Sequence, residues 1–300
     1  MKGLISNLQR YSIKDGPGIR TTVFFMGCDM RCQWCHNPEC LVPAERLRYF
    51  PEKCMGCGTC VRNCPSGALS LTAAGIQYDQ GMCRGCFACA DACPSTALTK
   101  NGRYYTVDEL MEQLVCDDAF YKNSGGGITF SGGECMKQSG FLKEVLVRCK
   151  EKNIHCAVDT AGFTDWKNFE EVSGLVDLYL YDLKSMDNGK HKRFTGVSNG
   201  TILENLKKLS RNGENIIIRI PVIASFNDSA EDMGAIAAFL SGLGPCYPVE
   251  LLGYHNLAEG KYRGMWKEPR VFPPVTRECL EHLSEVFKAD GRRVKIHSHS

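Results

Sequence analysis

The stretch GCDMRCQWC sets Cys28, Cys32 and Cys35 at C-x3-C-x2-C spacing. Three thiolates this close can wrap one side of an iron–sulfur cube. They cannot complete its four-fold ligation, so one iron is left open to bind something else. A closed structural site would recruit a fourth Cys or His, and Cys40 and His36 are the nearby candidates. Eight more cysteines fall in two copies of C-x2-C-x2-C-x3-C-P. The first is Cys54, Cys57, Cys60 and Cys64 before Pro65; the second is Cys83, Cys86, Cys89 and Cys93 before Pro94. Four soft thiolates suit one closed iron–sulfur cluster, and the fourth Cys of each run generally ligates the other cluster. One cluster then takes Cys54, Cys57, Cys60 and Cys93, and the other Cys83, Cys86, Cys89 and Cys64. Zinc is the competing metal, but a zinc ribbon uses paired C-x2-C knuckles, which the extra Cys and Pro do not fit. Fully ligated clusters cannot do substrate chemistry, so their work is electron transfer.

Ser131-Gly132-Gly133-Glu134, preceded by Ser124-Gly125-Gly126-Gly127, is rich in glycine. Such loops often cradle phosphate, but here no Lys follows as in a Walker loop and no G-x-G-x-x-G helix opens. Alone, the glycines mark a turn. Asp159-Thr160, Asp182-Leu183-Lys184, Arg219 and His255 lie in or just after apolar runs. Singly, each reads as a solvated or capping residue.

The elements that would position these residues follow from periodicity. Apolar or β-branched runs stand at 21–26, 127–131, 154–159, 176–182, 215–222 and 248–254, with a seventh at 293–296. Helix-period stretches lie between them near 106–121, 136–152, 165–174, 201–212, 229–242 and 275–289. Strands alternating with helices of this length mean βα units and a parallel sheet. The chain is therefore α/β, an incomplete (β/α)6 TIM-like barrel, with the cysteine repeat inserted between its first strand and next helix. The barrel takes 1–47 and 102–300, and a ferredoxin-like insert with two [4Fe–4S] clusters takes 48–101. In such folds chemistry sits at the C-terminal ends of the strands, where each of these motifs falls.

Composition narrows the class. Lys and Arg number 36 against 34 Asp and Glu, a net charge of +2. That balance argues against nucleic-acid binding, which usually leaves a basic excess. The opening MKGLISNLQRYSIKDG has no apolar h-region, and no apolar run approaches the roughly 20 residues that span a bilayer. A cytoplasmic chain with no membrane partner is expected. Its 18 cysteines are then metal ligands and reduced thiols, not a disulfide framework. Cys40, Cys116, Cys135, Cys149, Cys156, Cys246 and Cys279 lack ligand spacing and read as core or surface thiols.

The C-x3-C-x2-C spacing, with Trp34 before the last Cys, resembles the signature of the radical S-adenosylmethionine (SAM) superfamily. There the open iron chelates the amino and carboxylate groups of SAM, and GGE serves the methionyl amino group. With Asp15-Gly-Pro-Gly-Ile-Arg20, GCDMRCQWCHNPE, SGGGITFSGGE, VDTAG, YDLKSMD, HKRFTGVSN, RIPVI and LLGYH added, the chain resembles a glycyl radical enzyme activating enzyme nearly end to end. The eight-cysteine insert is similar to that of a subgroup of the family. The resemblance implies three [4Fe–4S] clusters, one of them at Cys28, Cys32 and Cys35, together with SAM. It implies that Trp34 and His36 flank the adenine, and that Gly133 (by its carbonyl) and Asp159 take the amino group. Lys184 and His255 reach the carboxylate, and Asp182 and Lys184 the ribose. Asp15, with Arg20 in the same loop, holds the glycine-loop peptide of a partner glycyl radical enzyme. Arg219 matches a polar strand position. A reduced cluster would pass one electron to SAM, and the resulting 5′-deoxyadenosyl radical would take hydrogen from one glycine Cα. A flavodoxin or ferredoxin-type donor would supply the electron, and a monomer is the expected state. The competing readings are a radical SAM enzyme acting on a small molecule or peptide, and a ferredoxin-type electron carrier.

Overall fold

The computed structural model describes residues 1–298; the last two residues of the 102–300 range lie outside the described residues. β1 (Lys2–Ser12) runs antiparallel to β2 (Arg20–Phe25) across the DGPG turn. The chain then leaves the sheet for β3 (Arg46–Tyr49), α1 (Thr59–Arg62), β4 (Leu69–Thr72), β5 (Gly75–Tyr78), α2 (Ala88–Asp91) and β6 (Leu98–Asn101). It returns through β7 (Arg103–Thr106) into α3 (Val107–Val115) and α4 (Asp118–Ser124). Strand and helix alternate from there: β8 (Gly127–Gly132), α5 (Ser139–Glu151), β9 (Cys156–Thr160), α6 (Trp166–Val172), β10 (Leu178–Asp182), α7 (Asn188–Thr195) and α8 (Gly200–Arg211). They continue with β11 (Ile216–Val222), α9 (Ala230–Ser241), β12 (Val249–Gly253), α10 (Glu259–Arg263), α11 (Arg277–Ala289) and β13 (Val294–His297). Among the described residues no helix is long and apolar enough to cross a membrane.

The main sheet has the order β13-β12-β11-β10-β9-β8-β2-β1-β7. From β2 to β13 every neighbouring pair is parallel, which is the partial barrel. All seven apolar runs named above are strands of it. β1 and β7 extend one edge antiparallel. The helical stretch 106–121 is broken into α3 and α4, because the buried Asp117 at the break is taken up by others. It accepts from Arg10 and from the Thr21 hydroxyl, both at 2.8 Å. α3 itself starts on a capping box, Thr106 with Glu109.

Strand alternation sorts the side chains into two faces. Ile128, Phe130, Val158, Tyr179, Tyr181, Ile218 and Val249 join the helix-covered core. The other face carries a small apolar floor of Ala157, Leu178 and Leu180. Further along those same strands, on that face, come Asp159, Asp182 and Arg219. Register aligns them: Leu180 lies opposite Asp159, Asp182 opposite Arg219, and Arg219 opposite Glu250.

Candidate functional site

The triad loop follows β2 and is closed at its root. Gly27 N–H donates to the Cys40 carbonyl (2.7 Å) and Cys28 N–H to that of Leu41 (3.2 Å). Its tip is tied to α7, with Arg31 N–H on the Thr195 carbonyl (2.7 Å) and Gln33 N–H on that of Phe194 (3.0 Å). Cys28, Cys32 and Cys35 are each partly exposed. Burial, with Glu134 nearby, pushes the Cys28 thiol up to about 12. Burial also raises Cys32 and Cys35, the latter further through Cys32. Taking three thiolates here therefore means expelling protons. The two candidate fourth ligands are engaged elsewhere. Cys40 is fully buried, with its thiol beside Ser6. The His36 ring stacks on His255 with centroids 4.2 Å apart, and its Nε2 lies 3.1 Å from the His255 carbonyl. A three-thiolate donor set fits a cube with one open iron.

The glycine-rich strand end packs directly on that loop. Gly133 N–H donates to the Phe25 carbonyl and Glu134 N–H to that of Gly27, both at 2.8 Å. A Cβ on Gly133 would stand 2.5 Å from the Gly27 oxygen and 2.8 Å from that of Cys40, so no other residue fits. Glu134 is buried and clasps the end of β9. It accepts from the Thr160 hydroxyl (2.7 Å) and from Ala161 N–H (3.2 Å). Sequence reasoning did not give Glu134 a role of its own; its place directly after two strand-end glycines was the available signal.

Burial holds the Glu134 carboxyl up at about 7, against 4.5 for a free glutamate, although those hydrogen bonds oppose the shift. The folded chain thus keeps a proton that the unfolded chain releases. The contribution of Glu134 to the stability of the cluster-free protein is therefore fullest below about pH 4.5 and is lost, by about 3 kcal/mol, as pH rises through about 7. Denaturant titrations across that window check this, with Glu134→Gln giving the flatter profile.

The remaining strand-end residues form one network on the inner face. Asp159 accepts from the Ser131 hydroxyl (2.6 Å) and from Arg219 Nη1 (3.2 Å). Burial lifts its carboxyl to about 6, with Arg219 opposing and Asp182 adding. Lys184, almost wholly buried, pairs with Asp182 at 2.6 Å. Burial works against its charge, but Asp182 and Cys32 outweigh it and hold the amine protonated. Arg219 also faces Glu250, with Nε to Oε2 at 3.6 Å, and Glu250 faces His297 at 3.3 Å. The structure thus brings Asp159, Asp182, Lys184 and Arg219 together beside the triad loop. His36 and His255 form a second group. Trp34 is buried in an aromatic cluster, 4.6 Å from Phe226 and 6.3 Å from Phe272 between ring centroids. Its ring is enclosed, while that of His36 is the more open of the two.

The DGPG turn is reached by the same network, since Arg219 Nη2 donates to the Lys14 carbonyl at 3.4 Å. Asp15 accepts from the hydroxyls of Ser12 (2.5 Å) and Thr22 (2.7 Å). Arg20 is completely buried and supports the turn from within. It donates to Thr129 Oγ1 (2.6 Å) and to the carbonyls of Ile128 (2.6 Å) and Pro17 (3.1 Å). Its guanidinium is taken up by the framework of the turn. The SGGG glycines, read above as a turn, provide room for that turn. A Cβ on Gly126 would lie 1.9 Å from the Ile19 oxygen. Gly126→Ala is expected to cost about 1–3 kcal/mol of stability by overpacking. It should also displace the DGPG turn, and denaturant titration measures the first effect.

In the insert the cysteine repeat is also a backbone repeat. Left-handed conformations recur at Gly56 and Gly85, at Gly58 and Phe87, and at Gly67 and Thr96. Each copy turns amide donors onto its thiols, as with Ala68 N–H on Cys64 Sγ (3.3 Å) and Leu98 N–H on Cys93 Sγ (3.5 Å). Burial raises Cys60, with Cys93 and Cys54 adding to the shift. Burial lifts Cys89 to about 11, with Cys64 and Cys83 as its neighbours. Converging thiols with amide donors fit two closed clusters.

Residues 80–240 match the radical SAM superfamily, and residues 53–97 match the 4Fe-4S dicluster domain. The trans-4-hydroxy-L-proline dehydratase activating enzyme of Clostridioides difficile is 43% identical over 99% of this chain and 99% of its own. The benzylsuccinate synthase activating enzyme of Thauera aromatica is 39% identical over 98% and 92%. Among solved structures, a domain of pyruvate-formate lyase-activating enzyme from Bacteroides vulgatus is 30% identical. It superposes with a TM-score of 0.50 over 58% of this chain and 99% of that one.

Proposed function

The chain belongs to the radical SAM superfamily and, within it, to the glycyl radical enzyme activating enzymes, and on that premise we propose how its residues divide the work. The enzyme cleaves SAM reductively to a 5′-deoxyadenosyl radical and takes a hydrogen atom from a glycine of a partner glycyl radical enzyme. Its cofactors are [4Fe–4S] clusters and SAM. Cys28, Cys32 and Cys35 hold the catalytic cluster, which when bound supplies the electron and an open iron for SAM. Cys54, Cys57, Cys60 and Cys93 hold one insert cluster, and Cys83, Cys86, Cys89 and Cys64 the other.

The neighbouring residues orient SAM and exclude water. Asp159 and the Gly133 carbonyl receive the ammonium, Lys184 and His255 the carboxylate, and Asp182 with Lys184 the ribose. His36 and the Trp34 loop border the adenine. Asp15 meets the partner's glycine loop, and Arg20 fixes the turn that presents it. The barrel, 1–47 with 102–300, carries this chemistry, and the insert, 48–101, relays electrons from a flavodoxin or ferredoxin-type donor. The enzyme works as a cytoplasmic monomer. One observation carries the reading: the triad loop, the GGE strand end and the Asp159–Arg219 and Asp182–Lys184 pairs meet on one face of the sheet.

Asp159→Asn and His255→Ala should weaken SAM binding by roughly 1.5–3 kcal/mol each, the worth of a charge-assisted hydrogen bond, with iron content unchanged. Unaltered SAM affinity in both variants would remove those two residues from the pocket. The function itself is tested by incubating the reduced enzyme and SAM with glycyl radical enzymes, trans-4-hydroxy-L-proline dehydratase among them. A glycyl radical EPR signal on one of them is expected. Cleavage of SAM with no signal on any of them would favour a small-molecule substrate, and no cleavage an electron carrier.

A further inference from the structure

Residues 259–267, α10 and the turn after it, touch the catalytic loop and the insert at once. On the catalytic side Lys261 Nζ donates to the His36 carbonyl and to Asn37 Oδ1, both at 2.9 Å. It also pairs with the buried Glu39 at 2.7 Å. These partners follow Cys35 directly in the chain. On the insert side Tyr49 N–H donates to the Gly264 carbonyl at 2.7 Å. A Cβ on Gly264 would stand 2.7 Å from the Tyr49 oxygen, so the two backbones are as close as glycine allows. Trp266 Nε1 donates to the Ile76 carbonyl at 2.8 Å. Its ring stacks on Tyr49 at 5.5 Å and 9°, and lies 4.6 Å from the ring of Tyr78. Trp266 thus joins the insert's small core together with Cys54, Cys64, Cys89 and Cys93. The Tyr49 hydroxyl lies beside the Cys54 thiol and that of Tyr78 beside Cys83, one thiol from each repeat.

We infer that residues 259–267 are the strut that couples the insert to the catalytic loop, with Trp266 between Tyr49 and Tyr78 as its positioning residue. This rests on the relay role proposed for the insert. With the clusters bound, one electron would move from a low-potential protein donor, which is oxidised, to the catalytic cluster held by Cys28, Cys32 and Cys35, which is reduced. The aromatic rings stay closed-shell and no proton is transferred. The strut fixes the separation and orientation across which that transfer occurs.

The test compares reconstituted full-length wild type, Trp266→Phe and Trp266→Ala. Iron content and SAM affinity should be equal in all three. In the reduced proteins, EPR should show magnetic interaction between the catalytic and insert clusters in wild type and Trp266→Phe. Trp266→Ala should lose it, and amide exchange at Tyr49 should quicken. With the separation no longer fixed, SAM cleavage driven by reduced flavodoxin should fall severalfold in Trp266→Ala. Cleavage driven by dithionite should stay at the wild-type rate. An unchanged cluster interaction and flavodoxin rate in Trp266→Ala would overturn the inference. So would loss of SAM binding in that variant, which would place Trp266 in support of the barrel's own site. A wild-type protein that cleaves no SAM with dithionite would count against the proposed function, while the EPR comparison would still decide on the strut.

Discussion

With Cys28, Cys32 and Cys35 all changed to alanine, the reconstituted protein is expected to hold about eight of its about 12 irons and to form no 5′-deoxyadenosine. The loop that carries the triad does not depend on the thiols for its path. It is closed by Gly27 and Cys28 on Cys40 and Leu41, and anchored by Arg31 and Gln33 on Thr195 and Phe194. All of these are backbone bonds, so the barrel should fold. The insert ligands lie in a separate small core and should keep their irons. A full iron count in the triple variant, or zinc in place of iron in wild type, would contradict the assignment.

Changing Cys57 and Cys86 together to alanine should damage both insert clusters while the catalytic cluster survives. Each residue is exposed and lies in a different ligand set. Metal binding contributes to the folding of so small a unit, so the insert should also loosen. Turnover driven by a flavodoxin should fall sharply, and some 5′-deoxyadenosine should still form with dithionite, which reaches the catalytic cluster directly. If SAM cleavage were intact with either reductant while the glycyl radical yield collapsed, the insert would serve partner docking instead of electron relay. Full activity on every count would leave it with neither role.

Much of this arrangement is legible in the residues. Runs such as TTVFF, IIIRIPV and VELLG are β-branched or apolar enough to be strands in any α/β context, and they are strands here. The cysteine spacings carry their ligand chemistry on their face. β1 is different. Its sequence KGLISNLQRYS mixes polar residues into the run and pairs with β2 through two register shifts, so no clean period of two marks it. Arg20 reads as an available cation in a loop motif, but it is fully buried because three acceptors, two on β8 and one in the DGPG turn, converge on it. Glu250 could have been noticed as one charged residue inside an apolar strand; what it meets, Arg219 and His297, depends on parallel register across three strands. Trp266 carries no motif at all. Its role comes from long-range contacts with Tyr49, Ile76 and Tyr78.

The central claim is hydrogen abstraction from a glycine of the partner, and isotope transfer tests it most directly. A glycyl radical enzyme deuterated at its glycine Cα positions is mixed with the reduced enzyme and SAM, and the 5′-deoxyadenosine is analysed by mass spectrometry. The account predicts a product carrying a single deuterium, formed in step with a glycyl radical on the partner. Unlabelled 5′-deoxyadenosine, with every glycine deuterium retained in the partner, would contradict it.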